Sequence, residues 1–283
     1  MAKAPEVSHN GAGMIARCDL AVRVAARSDL SPTCFRLTLQ TEEPLDAVPG
    51  QFGMLSCSDG FDPLLRRAFS LASVSRKGDG AEVELLIKEV GRGTALLRHA
   101  PVGSALRLLA PLGNGFSLEP GPYRLALVAG GIGLPPVLFA AEALAAHGTP
   151  FDLYLGGAGA AELLEVKRCG RAASRAGGEL VLTTDDGSRG EKGFVTAALK
   201  RRLLEGRVYS RVLGCGPTPM LAALTILVRG HGLDAELSLE EPMACGMGVC
   251  LGCVVELADG RYVPTCKEGP VFPVARLAAG WWG

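Results

Sequence analysis

The chain has 283 residues, with 29 Lys and Arg against 29 Asp and Glu, so its formal net charge is zero. That length suggests about two domains, each able to bury its own core, and a neutral chain has no global electrostatic reason to seek nucleic acid or an anionic membrane. Its longest uncharged stretches, 125–141 and 212–228, both contain Gly and Pro where a membrane span needs continuous helix, which excludes a transmembrane protein.

Residues 1–14 read as a loose leader without the long apolar run of a secretion signal, so the expected compartment is the cytoplasm. Short alternating runs follow at 19–26, 33–40, 51–58, 67–75, 82–88 and 105–110. Six such strands separated by turn residues predict an antiparallel barrel. One short helix interrupts them at 94–99, ended by Pro101. At 124 the pattern changes. Leu125-Ala126-Leu127-Val128-Ala129 is an apolar strand of the kind buried on both faces, followed by Gly130-Gly131-Ile132-Gly133 and a helix opening with Pro135-Pro136. Strands at 151–156, 179–184, 209–214 and 233–239 alternate with helices near 160–168, 194–205 and 218–229. That alternation predicts a doubly wound parallel sheet with helices on both faces. The tail from 242 fits neither pattern, so the expected division is 15–117, 118–240 and 241–283.

Four of the nine cysteines crowd into the tail: Cys245, Cys250 and Cys253, then Cys266 after a twelve-residue gap. C-x4-C-x2-C with a distant fourth Cys is the plant-type ligand spacing for a [2Fe-2S] cluster. Gly246, Gly248 and Gly252 let the backbone wrap a negatively charged cluster closely. Met243, Met247, Val249 and Leu251 are expected to keep water from it. A structural zinc site is the competing reading, although zinc modules usually present two paired-ligand knuckles and here the fourth ligand stands alone. Cys18, Cys34, Cys57, Cys169 and Cys215 are scattered and read as small buried hydrophobes.

Three further constellations suit nucleotides. Arg66-Arg67-Ala68-Phe69-Ser70-Leu71 sets an Arg, a ring and a hydroxyl on one strand, suited to a phosphate, a flat apolar surface and a polar ring edge. A solvated Arg and a core Phe would produce the same run. Gly91-Arg92-Gly93-Thr94 opens the short helix and forms either an anion cradle or a plain turn. Gly130, Gly131 and Gly133 can bring N–H groups to a dinucleotide pyrophosphate. The match is imperfect, because the next strand ends in Tyr154-Leu155-Gly156-Gly157 without an acid. Cys215, in Gly214-Cys215-Gly216-Pro217, is placed at the carboxyl edge of the sheet, either facing the ligand crevice as a catalytic thiol or packing in the core. His9, His99, His147 and His231 stand singly and suggest neither a metal site nor a base.

A barrel with R-x-F-S and GxGT followed by strand-GGxG-helix resembles the ferredoxin reductase superfamily of flavoproteins over about 16–240. The segment from Glu240-Glu241-Pro242 through Cys253-Val254-Val255, with Cys266-Lys267-Glu268-Gly269-Pro270-Val271-Phe272, looks like the electron-transfer subunits of dihydroorotate dehydrogenase B. So do Pro111-Leu112-Gly113-Asn114-Gly115-Phe116 and Thr184-Asp185-Asp186-Gly187-Ser188. The resemblance implies FAD on 15–117, with Arg67 near the pyrophosphate and Ser70 near the isoalloxazine edge; Gly93 and Thr94 close on the phosphates, and Ala68, Phe69 and Gly91 belong to the same runs. Phe69 stands where many superfamily members have Tyr. NAD would lie over Gly130, Gly131 and Gly133 with Cys215 near the nicotinamide. Related subunits acting on ferredoxin or sulfide typically place Asp where Cys245 stands, so Cys245 favours the dihydroorotate reading. The implied partner is an FMN-containing dihydroorotate dehydrogenase catalytic subunit, two of each chain, passing electrons through cluster and FAD to NAD in pyrimidine biosynthesis. The alternatives are a related NAD(P)H-dependent reductase subunit serving another acceptor and a zinc-bound scaffold without activity.

Overall fold

The computed structural model describes residues 18–60 and 62–282; the expected leader at 1–14, with His9, lies outside the described residues. Seven strands open the fold: β1 (Cys18–Asp29), β2 (Cys34–Thr41), β3 (Phe52–Leu55), β4 (Arg67–Ser70), β5 (Ser73–Lys77), β6 (Gly80–Lys88) and, after helix α1 (Arg92–His99), β7 (Ala105–Leu112). They pair antiparallel in the order β4-β3-β7-β1-β2-β6-β5. Alternate residues point inward, so Leu20, Val22, Val24, Phe35, Leu37, Leu39, Val83, Leu85 and Ile87 fill one buried core.

The six-strand expectation is corrected to seven, because the run at 67–75 is two strands. At Leu71 and Ala72 the chain changes partner: the Leu71 N–H donates to the Gln51 carbonyl on the β3 side (3.1 Å) and the Ala72 N–H to the Glu84 carbonyl of β6 (2.9 Å). The two edge strands are therefore consecutive in the chain, and the sheet closes on itself there. Both halves alternate alike, so local pattern cannot reveal the switch.

The second sheet comprises β8 (Leu125–Gly130), β9 (Phe151–Gly157), β10 (Leu180–Thr184), the short β11 (Glu191–Lys192), β12 (Arg211–Cys215) and β13 (Ala235–Ser238). Helices α2 (Leu134–Ala146), α3 (Val166–Arg175), α4 (Val195–Leu204) and α5 (Thr218–His231) connect and cover them. The parallel order β11-β10-β9-β8-β12-β13 reverses direction between β8 and β12, which opens a ligand crevice at their carboxyl ends. The helix expected near 160–168 begins only at Val166. Before it the Glu162 carboxylate turns back to accept the Ala158 N–H (3.1 Å), closing a short 3-10 turn at Ala160–Glu162.

The tail forms a hairpin of β14 (Val254–Glu256) and β15 (Tyr262–Pro264), one turn of helix α6 (Thr265–Glu268) and β16 (Val271–Pro273). It is not independent of the sheets, since β16 pairs antiparallel with β13 and buries Phe272. Three residues are too few to show a periodicity. Among the described residues no helix is long and apolar enough to cross a membrane.

Charged side chains join the barrel to the parallel domain. Arg168 of α3 donates to Glu84 of β6 (2.6 Å) and in bidentate fashion to Glu142 of α2. Arg36 of β2 pairs with Glu165, and Lys88 of β6 with Glu162 (3.3 Å).

Candidate functional site

The structure brings the two barrel motifs together. Arg67 starts β4 and donates to the Leu65 carbonyl (2.6 Å). A Cβ on Gly93 would lie 2.9 Å from Cys57 Sγ and 3.1 Å from Arg67 Nε, so glycine is what allows α1 to settle against that guanidinium. The Thr94 hydroxyl accepts the Val90 and Gly91 N–H groups (3.0 and 3.1 Å) and donates to the Gly91 carbonyl. That hydroxyl is committed to capping, which leaves the first-turn N–H groups for an anion. Phe69 leans on the barrel core, and Ser70 is half-buried opposite Phe52. Arg66 turns elsewhere and pairs with Asp19 (2.7 Å), holding that carboxyl below its usual range. A groove of about 1220 Å³ takes Arg66 and Arg107 but none of Arg67, Gly93 or Thr94, so size alone does not mark this site.

At the parallel sheet's crevice the three glycines do different work. A Cβ on Gly130 would strike Met220 Sδ at 2.5 Å, and one on Gly133 would strike Gly216 at 2.5 Å, so both serve the packing of the β8 turn against the β12 turn. Gly131 faces open space: it has φ +50, and the nearest atom to its ideal Cβ is Glu162 Oε2 at 3.8 Å. Glu162, from the loop after β9, is the acid nearest to that turn. The Ala158 N–H and then Lys88 hold its carboxyl below the usual range. Cys215 ends β12 at 1% exposure. Burial, and then the charge of Glu240, pushes its thiol well up and keeps it neutral.

The cluster cysteines form two pairs. Backbone N–H groups of Cys250 and Met247, the Cys250 thiol and the Val249 N–H hold Cys245 down to about 6. Burial and the adjacent Cys253 thiol push Cys266 up to about 12, and Cys245 adds to that push. The Gly248 N–H donates to Cys266 Sγ at 3.0 Å and the Met247 N–H to Cys245 Sγ at 3.4 Å, as a negatively charged group at this place would need. Among the described residues no three His, Cys, Asp or Glu are gathered to hold a single ion. Thiols that accept backbone N–H groups, at the plant-type ligand spacing, fit a [2Fe-2S] cluster.

The expected water shield is corrected. Met243 packs on the ligands, but Met247, Val249 and Leu251 stand 47, 78 and 59% exposed, around the exposed Cys250. The reason lies at Gly246, whose Cβ would fall 2.6 Å from Met54 Cγ: the loop is pressed onto β3 there, and the residues beyond it turn outward. Cys253 and Cys266 share one apolar cluster with Phe52, Met54 and Leu112, and Ala68 of β4 packs against it. The run 111–116 grips the same segment, with the Asn114 N–H on the Gly269 carbonyl (2.6 Å) and its amide on that of Glu268 (2.8 Å).

Comparison with known proteins agrees with this geometry. Residues 240–278 match the iron-sulfur cluster binding domain of dihydroorotate dehydrogenase B, and 127–225 match the oxidoreductase NAD-binding domain. The dihydroorotate dehydrogenase B (NAD(+)) electron transfer subunit of Bacillus velezensis is 38% identical over 261 residues, covering 90% of this chain and 97% of that one. This chain belongs to the family of dihydroorotate dehydrogenase B electron transfer subunits. The Aquifex aeolicus homolog of that subunit is 35% identical, over 92% of this chain and 98% of its own. Among solved structures, an NADH-dependent reduced ferredoxin-NADP oxidoreductase studied for flavin-based electron bifurcation aligns with TM-score 0.78 at 26% identity. That alignment covers 96% of this chain and 92% of the other.

Sequence reasoning missed several residues of this electron transfer subunit. Glu240 is visible only as half of an acidic pair, yet its charge acts on Cys215 and desolvation pushes its own carboxyl up. Glu162 and Lys88 meet across 74 positions, and no local pattern announces that pair.

Proposed function

We propose that this chain relays electrons between a dihydroorotate-oxidising, FMN-containing catalytic subunit and NAD. FAD held on the barrel would couple two-electron exchange with NAD to the single-electron traffic of a [2Fe-2S] cluster. We assign 15–117 to FAD, 118–240 to NAD and 241–283 to the cluster. Arg67 and the first turn of α1 would neutralise the flavin phosphates. The open face of Gly131 would admit the NAD pyrophosphate, and the neutral Cys215 with the nearby Glu240 would line the nicotinamide end of the crevice. Cys245 and Cys250 would hold one iron, Cys253 and Cys266 the other.

The observation that carries this reading is the apolar cluster shared by Ala68 of the flavin strand and the ligands Cys253 and Cys266. It supports a flavin on β4 lying within one packed layer of the cluster ligands. The exposed Met247, Val249 and Leu251 around Cys250 support a docking face for the catalytic subunit, with two copies of each chain in the assembly. Outside the cluster segment, Cys34, Cys57, Cys169 and Cys215 are free thiols, which suits a reducing compartment, the cytoplasm.

A subunit serving another acceptor is the second reading, favoured by the structural likeness to the ferredoxin-NADP oxidoreductase. Mixing with the FMN subunit of the same organism separates the two. The dihydroorotate reading predicts co-purification and orotate formation coupled to NAD reduction, neither chain sufficing alone. Failure to associate, with NADH-dependent dye reduction intact, supports the other acceptor.

A further inference from the structure

Thr265 is fully buried at 0% exposure, and its hydroxyl oxygen has no hydrogen-bond partner. Its backbone is satisfied on both sides: the N–H donates to the Cys253 carbonyl (2.8 Å), and the carbonyl accepts the Gly269 N–H (3.0 Å). Pro264, not Thr265, occupies the cap position of α6, so the hydroxyl has no capping role. An orphaned buried hydroxyl carries an uncompensated desolvation cost, which a valine of the same shape would avoid. A hydroxyl retained here is therefore expected to meet an acceptor in the loaded protein.

The position limits what that acceptor is. Thr265 precedes Cys266 in the chain and is bonded to the carbonyl of Cys253, so it is wedged beside the buried pair of ligands. The buried cluster that holds Cys253 and Cys266 is otherwise lined by the apolar Phe52, Met54 and Leu112, which offer those ligands no side-chain oxygen or nitrogen. We propose that the Thr265 hydroxyl donates a hydrogen bond to a sulfur of the iron-sulfur cluster, either a ligand thiolate or a bridging sulfide, and so raises the cluster's reduction potential. A donor to sulfur stabilises the reduced cluster more than the oxidised one, because reduction adds a negative charge. The backbone N–H groups of Met247 and Gly248 already donate to Cys245 and Cys266, and Thr265 adds a side-chain donor that mutation can remove.

This inference rests on the [2Fe-2S] reading, and the test keeps the two apart. The protein is purified anaerobically as wild type, Thr265→Val and Thr265→Ser, and iron and sulfide are counted before an EPR-monitored redox titration. Equal cluster content in all three establishes the group itself. Thr265→Val is then expected to lower the potential by a tenfold change in the one-electron equilibrium, ~59 mV, and to lose one exchangeable deuteron coupling in pulsed EPR. Thr265→Ser is expected to stay near wild type. A potential and a deuteron coupling unchanged in Thr265→Val overturn the proposal while leaving the cluster in place. Zinc without iron in the wild type overturns the cluster reading instead.

Discussion

The barrel meets its neighbours on two faces built from different chemistry. Toward the parallel domain an apolar seam, with Cys34, Ala72 and Leu86 in one buried cluster with Val137 and Leu138 of α2, is overlaid by directional ion pairs: Arg168 bridges Glu84 and Glu142, Arg36 pairs with Glu165, and Lys88 with Glu162. Toward the cluster segment it is dry, with Phe52, Met54, Leu112 and Ala68 against Cys253 and Cys266, and backbone bonds at Asn114 holding it in place. The difference matches what each face is proposed to pass. A hydride must be aimed within a few tenths of an ångström, and bidentate ion pairs fix orientation. A single electron needs proximity and packed atoms more than angle. The ionic network also links two rigid elements that end at the proposed ligand sites: β6 leads to Lys88 and the turn before α1, and α2 begins directly after Gly133.

Breaking the dry face at a ligand has the largest expected effect. Cys250→Ala should reduce cluster iron to background while flavin stays bound and NADH still reduces dyes, checked by metal analysis and visible spectra. Loss of flavin along with iron would mean that the two faces are not separable.

The ionic face is next. Arg168→Met removes the cation that Glu84 and Glu142 share, at a cost of about 2 kcal/mol for a half-buried charge-assisted network. Denaturant melts should show that loss, and stopped-flow flavin reduction by NADH should slow while the cluster spectrum stays unchanged. If flavin reduction kept its rate, orientation would not be the network's task.

Arg67→Ala removes charge-assisted phosphate bonds worth on the order of 2 kcal/mol. Flavin retention after gel filtration should fall, and unchanged FAD affinity would move the phosphate site away from β4. The smaller effect is at Gly131→Val, which should raise the Michaelis constant for NADH about tenfold without releasing FAD. Untouched NADH kinetics would shift the dinucleotide elsewhere along the crevice. On the outer side of the cluster loop, Leu251→Glu should weaken association with the catalytic subunit in sedimentation runs and leave the isolated chain's spectrum intact.

The same contrast explains what was legible in the sequence. The apolar β8, its glycine turn and the cysteine spacing are local signals, and each appears at its expected place. The division of 67–75 into two strands depends on Gln51 and Glu84, which are distant in sequence, and the pairing of β16 depends on β13. Arg168 and Glu84 are 84 positions apart, so the ionic face leaves no trace in composition or period. Gly130, Gly131 and Gly133 look alike in sequence, and only the packing of Met220 and Gly216 separates their tasks. Met247, Val249 and Leu251 read as a shield because hydrophobicity signals burial; burial against a second chain gives the same signal.

The most direct measurement is anaerobic addition of NADH to the isolated chain, followed at once by visible absorbance and low-temperature EPR. The account predicts bleaching of bound flavin together with the signal of a reduced [2Fe-2S] cluster, and in Cys250→Ala bleaching alone. Flavin that bleaches in the wild type while no iron-sulfur signal forms, despite two irons per chain, would contradict an electron path across the dry face.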